Sequence, residues 1–84
     1  MKIENLIEEL HGHQDIEKIR KSRKGDGWFV YGRRTLRRSV NLFDRYETFI
    51  FADEADPNQL RGFVLGELRN YYKDAIPGTA LVAS

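Results

Sequence analysis

The stretch that decides the fold is residues 18–34, KIRKSRKGDGWFVYGRR, where basic residues surround a glycine-rich turn and an aromatic run. Lys24-Gly25-Asp26-Gly27 is typical of a turn, since glycine supplies the positive φ that tight hairpin turns require. Trp28-Phe29-Val30-Tyr31 has the aromatic and β-branched composition of a strand. We therefore predict a β-hairpin over roughly residues 18–34, with a register that the sequence leaves open.

An amphipathic helix is predicted before the hairpin, at about residues 2–11. Apolar residues recur there at the spacing of one helical face: Ile3, Leu6, Ile7 and Leu10. The helix is expected to end at Gly12 in a left-handed cap. Between this helix and the hairpin turn, residues 16–23 carry only two apolar side chains, Ile16 and Ile19, so a strand there would have a weak apolar face.

A second helix is predicted to begin at Asp56 and Pro57 and to end near residue 75. Aspartate is a favoured N-cap, proline fits the first helical position, and Gln59 stands where a capping-box side chain would. Pro77-Gly78 would stop the helix. The expected buried stripe is Leu60, Phe63, Val64, Leu68 and Tyr71 or Tyr72.

The segment between the hairpin and the second helix contains one clear strand and one ambiguous region. Residues 47–52, ETFIFA, form a short apolar run typical of a strand. Residues 33–46 allow two interpretations: as a helix, Arg33, Arg34, Arg37 and Arg38 form one basic face, and as a strand these four arginines divide between two faces. We favour the strand, because Thr35, Ser39 and Val40 are mediocre helix formers.

These elements together predict an α+β fold of two layers. A small antiparallel sheet of three or four strands would pack with an N-terminal and a C-terminal amphipathic helix. Residues 1–76 are expected to form a single domain, and residues 77–84 a C-terminal tail or a short edge strand.

Composition favours a globular protein that is soluble and cytoplasmic. Of 84 residues, 40% are apolar and 32% charged, and there is no cysteine, which excludes disulfides and thiolate metal sites. The charged N-terminus predicts no signal peptide, and no apolar run exceeds four residues, as at residues 49–52, which predicts no membrane association. No motif predicts a cofactor.

Charge is distributed very unevenly along the chain. Nine of the 14 Lys and Arg residues lie in residues 18–38 with Asp26 as the only acid, so this stretch carries +8 while the whole chain carries +1. Such a cluster indicates an anionic partner, either nucleic acid (DNA or RNA) or an acidic protein surface. The predicted binding residues are Lys21, Arg23, Lys24, Arg33, Arg34, Arg37 and Arg38.

Two further features of this cluster have alternative interpretations. Trp28, Phe29 and Tyr31 lie between the basic runs and could stack on unpaired bases if exposed. Because so small a domain needs its aromatic residues inside, we expect them in the core instead. The positive charge could also be neutralised by acids within the fold or across a homodimer; the candidates are Glu8, Glu9, Asp53, Glu54 and Asp56.

Catalytic and metal-binding interpretations have little support in the sequence. His11 and His13 could bind a metal, but no further histidine or cysteine completes a site, so we expect helix-end histidines. The acids of residues 53–56 could hold Mg²⁺, but helix capping is the simpler expectation. We predict that the protein is not an enzyme, that it has no metal, and that no serine here is a nucleophile.

The predicted order of helix, strands and helix resembles that of a double-stranded-RNA-binding domain, and a basic sheet backed by a helix is similar to the arm-binding domains of some phage integrases. The RNA-binding domain carries a Gly-Lys-Lys-type cluster at the start of its last helix, whereas this chain has Asp56-Pro57-Asn58-Gln59. The resemblance concerns topology alone, and no residue role is transferred.

Two functions follow from the sequence. The first is a small non-enzymatic nucleic-acid-binding protein that uses a basic hairpin and arginine surface on phosphates. The alternative is a small protein–protein interaction module, a regulator or inhibitor such as a phage may encode, whose basic patch docks on an acidic surface of a partner such as a nucleic-acid enzyme.

Overall fold

The computed structural model describes residues 1–36, 44–73 and 75–77. They form two helices and five strands in the order α1 (Ile3–His11), β1 (Ile16–Lys21), β2 (Gly27–Gly32), β3 (Thr35–Leu36), β4 (Glu47–Phe51), α2 (Pro57–Tyr72) and β5 (Ile76–Pro77). Strands β1, β2 and β4 make an antiparallel sheet in that order, and β3 pairs with β5 separately. The prediction of a two-layer α+β fold is confirmed.

Helix α1 buries the predicted stripe of Ile3, Leu6, Ile7 and Leu10. The prediction for Gly12 was wrong, since it has φ −86° and ψ −3° and is right-handed. Its N–H donates to the Glu9 carbonyl at 3.1 Å, and the His13 N–H donates to the Leu10 carbonyl at 3.0 Å. The chain thus leaves the helix through a further tight turn, which requires no positive φ.

A β-bulge at Glu17 explains how β1 buries two isoleucines three residues apart. Ile16 lies opposite Gly32 and Lys18 opposite Tyr31, so the register shifts by one residue between them. A bulge of this kind places one additional residue in one strand and changes which side chains share a face. Ile16 and Ile19 therefore both point toward the helices, where Ile16 is in the core and Ile19 packs against it.

The hairpin turn occupies residues 22–26, slightly earlier than predicted. The Ser22 N–H donates to the Gly27 carbonyl at 2.9 Å, and Gly25 has the positive φ of 73° that the turn requires. Gly27 belongs to β2 rather than to the turn. A Cβ at Gly27 would meet the Ile50 carbonyl oxygen and would lie 2.7 Å from Cζ of Phe49, so only glycine fits there.

Helix α2 begins as predicted. The Asp56 carboxylate accepts a hydrogen bond from the Gln59 N–H at 3.1 Å, and Pro57 is the first helical residue. The helix ends at Tyr72, about three residues before the predicted end. Val64, Leu68 and Tyr72 are its buried residues.

Phe63 was wrongly predicted to belong to the buried stripe of α2, since 59% of it is exposed. The buried residues follow an i, i+4 row that starts at the half-buried Leu60. Phe63 lies about 120° around the helix from the centre of that row, where it faces away from the sheet. The predicted stripe was too wide because it included helix positions on both sides of this row.

Tyr72 ties α2 to the ends of two strands. Its hydroxyl donates to the Arg33 carbonyl at 2.7 Å and accepts from the Tyr46 N–H at 3.2 Å. A Cβ at Gly32 would collide with this hydroxyl, so the close approach depends on glycine. Nearby, Thr35 and Asp44 exchange backbone hydrogen bonds at 3.0 Å.

The core lies between the helices and one face of the sheet. It comprises Ile3, Leu6, Ile7, Leu10, Ile16, Val30, Tyr46, Ile50, Val64, Leu68 and Tyr72. The strand predicted at residues 47–52 is confirmed as β4. The question of helix or strand over residues 37–43, and the prediction for residues 78–84, lie outside the described residues, while Pro77, the first residue of the predicted tail, belongs to β5. In the described part of the chain no helix has the length and apolarity that crossing a membrane requires.

Candidate nucleic-acid interface

The register of the sheet separates its side chains into two faces. The inner face, toward the helices, carries Ile19, Val30 and Thr48 in one row and Lys21, Trp28 and Ile50 in the next. The outer face carries Lys18, Tyr31 and Glu47 in one row, Arg20, Phe29 and Phe49 in the next, and Phe51 opposite Gly27. Because α1 and α2 pack with the core, the described part of the fold puts no second layer on the outer face.

The outer face is an aromatic surface on which cations lie. The Arg20 guanidinium is 4.6 Å from the Phe29 ring centroid, and the Lys18 ammonium is 5.5 Å from that of Tyr31. Arg45, which precedes β4, lies 4.7 Å from the same Tyr31 ring. These are cation–π distances, and they hold the positive charges against the sheet.

The remaining rings continue this surface toward the hairpin turn. Phe29 and Phe49 pack edge to face with centroids 4.8 Å apart, and Phe49 and Phe51 do the same at 4.9 Å. Phe51 is 55% exposed. The outer face therefore changes from cation-covered rings at one end to open apolar rings at the other.

The cations of the outer face differ in how far their charge is compensated. Arg45 forms ion pairs with Glu17 at 3.0 Å and with Glu47 at 3.8 Å. Among the described residues, neither Lys18 nor Arg20 has a carboxylate within ion-pair distance. Lys18 and Arg20 are thus the outer-face cations with charge left for a partner.

The structure separates the predicted binding residues into two groups. Lys21, Arg23 and Lys24 lie at the turn end of the hairpin, and Arg33 and Arg34 follow the other end of β2. The length of β2 places about 17 Å between the two groups. Arg37 and Arg38 lie outside the described residues. The charge cluster of the sequence is therefore drawn out along the hairpin rather than gathered at one point.

Arg33 is engaged within the fold. Its guanidinium pairs with Asp15 at 3.2 Å and lies 5.5 Å from the Tyr72 ring centroid, while its N–H donates to the Asp15 carbonyl. Arg34 is exposed and lies beside a shallow depression shared with Asp44, Arg45 and Glu47. Both arginines thus have acidic neighbours, unlike Lys18 and Arg20.

The expectation that the hairpin aromatics are all core residues was wrong for two of the three. Trp28 packs against the core, but Phe29 and Tyr31 lie on the outer face and are only partly buried. Alternation along β2 makes this unavoidable, since a strand that buries Trp28 and Val30 must turn Phe29 and Tyr31 outward. The core is filled instead by the two helices.

The sequence-based site prediction omitted the residues that make this face distinctive: Lys18, Arg20, Phe49 and Phe51. Alternation was the signal that could have identified them, once the hairpin register was known. Phe49 and Phe51 flank Ile50 in β4, so burial of Ile50 exposes both. The same reasoning fails for Lys18 and Arg20, because simple alternation from the buried Ile16 would place both on the inner face, and the bulge at Glu17 breaks that alternation.

One histidine and several acids of the described residues have structural contacts. The His13 Nδ1 accepts from the Asp15 N–H at 3.0 Å, and a Glu54 carboxylate oxygen accepts from the Asp56 N–H at 3.2 Å. Asp56 caps α2, as predicted. In residues 1–36, 44–73 and 75–77, no group of three or more histidines and acids is arranged to hold a metal ion.

Two tyrosines on the helix side of the sheet have perturbed ionisation. Burial, and next the hydrogen bond that its hydroxyl donates to Glu67 at 2.6 Å, raise the pKa of Tyr46. Burial likewise raises the pKa of Tyr72. Both hydroxyls therefore act as neutral donors within the fold.

Comparison of the chain with protein-family profiles, with curated protein sequences and with solved structures finds no match. The geometry of the outer face is therefore the basis for proposing a function.

Proposed function

We propose that this protein is a small, non-enzymatic nucleic-acid-binding protein that contacts phosphates with the outer face of its sheet and the adjoining hairpin turn. The observation that carries the proposal is the placement of Lys18 and Arg20 on an aromatic surface without acidic partners among the described residues. A guanidinium or ammonium held in this way can meet a phosphate without first breaking an ion pair.

The distribution of charge across the molecule also favours binding of nucleic acid at the outer face. Arg23 and Lys24 are exposed in the turn at one end of the outer face. On the other side of the sheet, α1 carries the exposed acids Glu4 and Glu8, while its Glu9 pairs with Arg61 of α2. A polyanion is therefore attracted more strongly to the outer face and the turn than to the surface of α1.

The contacts of the carboxylates favour binding over catalysis. Asp56 caps α2, Asp15 pairs with Arg33, and Glu67 accepts the hydrogen bond of Tyr46. These three carboxylates thus have roles in stabilising the fold.

Substitution of one outer-face arginine tests the proposal. Arg20→Ala should weaken the binding of an unstructured DNA or RNA oligonucleotide by about tenfold, the loss expected for a charge-assisted contact. Arg69→Ala on α2 is the matched control, because it removes the same charge from an exposed position of the helical layer. Equal effects of the two variants, or no binding by the wild type at low salt, would contradict the proposal.

The alternative, a module that docks on an acidic protein, is favoured by one observation. Phe51 and Phe63 are both more than half exposed, at 55% and 59%, and exposed aromatics are enriched at protein interfaces. Co-purification distinguishes the two functions. Nucleic acid that high salt removes supports the first, and a protein partner that survives high salt supports the second.

A further inference from the structure

Among the outer-face rings, that of Phe51 at the turn end is the most exposed. Tyr31 and Phe29 each have a cation over the ring, and Phe49 is packed by its edges between Phe29 and Phe51. Phe51 is packed by Phe49 and is 55% exposed. The ring most available to a ligand is therefore at the turn end.

The residue opposite Phe51 keeps that ring open. Phe51 pairs with Gly27 of β2, which has no side chain to lie beside it. The space above Gly27 is occupied by the Phe49 ring, whose Cζ would be 2.7 Å from a Cβ at that position. Because Gly27 has no side chain, the Phe49 ring can pack over β2 at that position. The neighbouring Phe51 ring then keeps part of its surface exposed.

The basic hairpin turn adjoins the strand that carries this ring. The Ala52 N–H donates to the Asp26 carbonyl at 2.8 Å, which joins the end of β4 to the turn that carries Arg23 and Lys24. Arg20 lies one row further along the outer face. An exposed apolar ring with a basic turn at the end of its strand matches a nucleotide, which pairs an aromatic base with an anionic phosphate.

We infer that the outer face binds single-stranded nucleic acid, with an unpaired base stacked on Phe51 and the adjoining phosphates at Arg20, Arg23 and Lys24. The inference rests on the proposed function and makes it specific. A duplex keeps its base faces stacked inside the helix and could use only the cations, whereas a single strand can also use the rings. The outer face from Tyr31 to Gly27 is about 13 Å long, a size suited to the two or three bases that sheet platforms stack.

The experiment compares Phe51→Ala with Phe63→Ala, because both side chains are exposed to nearly the same degree, 55% and 59%, but lie on opposite layers. Fluorescence anisotropy would be measured with labelled oligothymidine, oligouridine and a duplex of equal length. Phe51→Ala should weaken binding of the single strands by about tenfold, since stacking on an aromatic contributes that much or more per base. Binding of the duplex should be unchanged, and Phe63→Ala should match the wild type. The thymidine and uridine arms show whether DNA or RNA is preferred.

The outcomes separate this inference from the proposed function. If wild-type protein binds duplex as tightly as single strand, or if Phe51→Ala and Phe63→Ala behave alike, stacking is overturned and phosphate binding stands. If no nucleic acid binds at low salt, both fail. If Phe51→Ala changes the sedimentation mass instead of the affinity, the outer face is a contact between copies of the chain and the inference is overturned. Far-ultraviolet circular dichroism of each variant checks that the sheet is retained.

Discussion

The guanidinium of Arg20 lies over the ring of Phe29, 4.6 Å from its centroid, and it also donates a hydrogen bond to the Tyr31 hydroxyl at 3.4 Å. These contacts hold the guanidinium against the outer face of the sheet. Because the side chain is already restrained and has no acidic partner among the described residues, a phosphate can bind it at little further cost in conformational freedom and without breaking an ion pair. The contact between Arg20 and Phe29 thus places part of the basic cluster seen in the sequence on the outer face of the sheet.

Gly27 is predicted to be required for the fold. Gly27→Ala should reduce the free energy of unfolding by about 1–3 kcal/mol, because the new methyl group would meet the Ile50 carbonyl and the Phe49 ring. Gly62→Ala is the control, since a Cβ there meets nothing within 4 Å and should stabilise α2 by up to about 1 kcal/mol. Urea denaturation measures both. A Gly27→Ala variant as stable as the wild type would contradict the packing described for Phe49.

Tyr72 is predicted to stabilise the junction of β2, β4 and α2 through its hydroxyl. Tyr72→Phe should cost about 1–3 kcal/mol, because the buried Tyr46 N–H would lose its acceptor and the Arg33 carbonyl its donor. Tyr31→Phe removes a hydroxyl with only an exposed 3.4 Å contact and should cost much less. The urea midpoints should differ accordingly at similar m-values. Equal midpoints for the two variants would show that the hydroxyl of Tyr72 does not stabilise the junction.

Stability is predicted to fall at high pH because of Tyr46. Its pKa is raised in the folded protein by burial and by the hydrogen bond to Glu67, whereas the unfolded tyrosine ionises near its ordinary pKa of about 10. The stabilisation that neutral Tyr46 contributes to the free energy of unfolding is therefore fully present below about pH 10 and is lost as the pH rises above that value. Tyr72 acts in the same direction. In urea denaturation at increasing pH, Tyr46→Phe should show a shallower decline than the wild type. A decline of equal slope in Tyr46→Phe would contradict this origin.

The single tryptophan provides a test of which face binds. Trp28 lies on the inner face between Lys21 and Ile50, so an oligonucleotide on the outer face should change its emission little. A tryptophan introduced by Phe51→Trp should be quenched on binding, because it would stack on a base. Fluorescence titration of the two proteins measures this difference. Strong quenching of Trp28 in the wild type would place the ligand at the inner face or its edge.

The fold was largely predictable because its local signals agree with one another. The stripe of α1, the cap and proline at the start of α2 and the short apolar run of β4 each indicate one element, and the structure confirms them. Gly12 and Phe63 were predicted wrongly because each depends on contacts that no local pattern contains. A tight turn replaces the left-handed cap, and the direction of α2 over the sheet leaves Phe63 exposed.

The candidate site was less predictable because it depends on register. The sequence showed a basic, aromatic hairpin but left its register open and gave no sign of the bulge at Glu17. The register decides that Lys18 and Arg20 share a face with Phe29 rather than with Val30, and the bulge decides that they do not share a face with Ile16. The partner of Arg33 could not be predicted either, because Asp15 precedes β1 and meets it only in the folded sheet.

The most direct test of the central claim is the salt dependence of oligonucleotide binding, measured by fluorescence anisotropy with single-stranded DNA and RNA. If Lys18, Arg20, Arg23 and Lys24 each neutralise a phosphate, affinity should fall by about 50-fold between about 50 and 200 mM salt. Arg20→Ala should bind more weakly and with a shallower slope, while Arg69→Ala should keep the wild-type slope. A flat response to salt, or no binding at low salt, would contradict the claim that the outer face is a nucleic-acid interface.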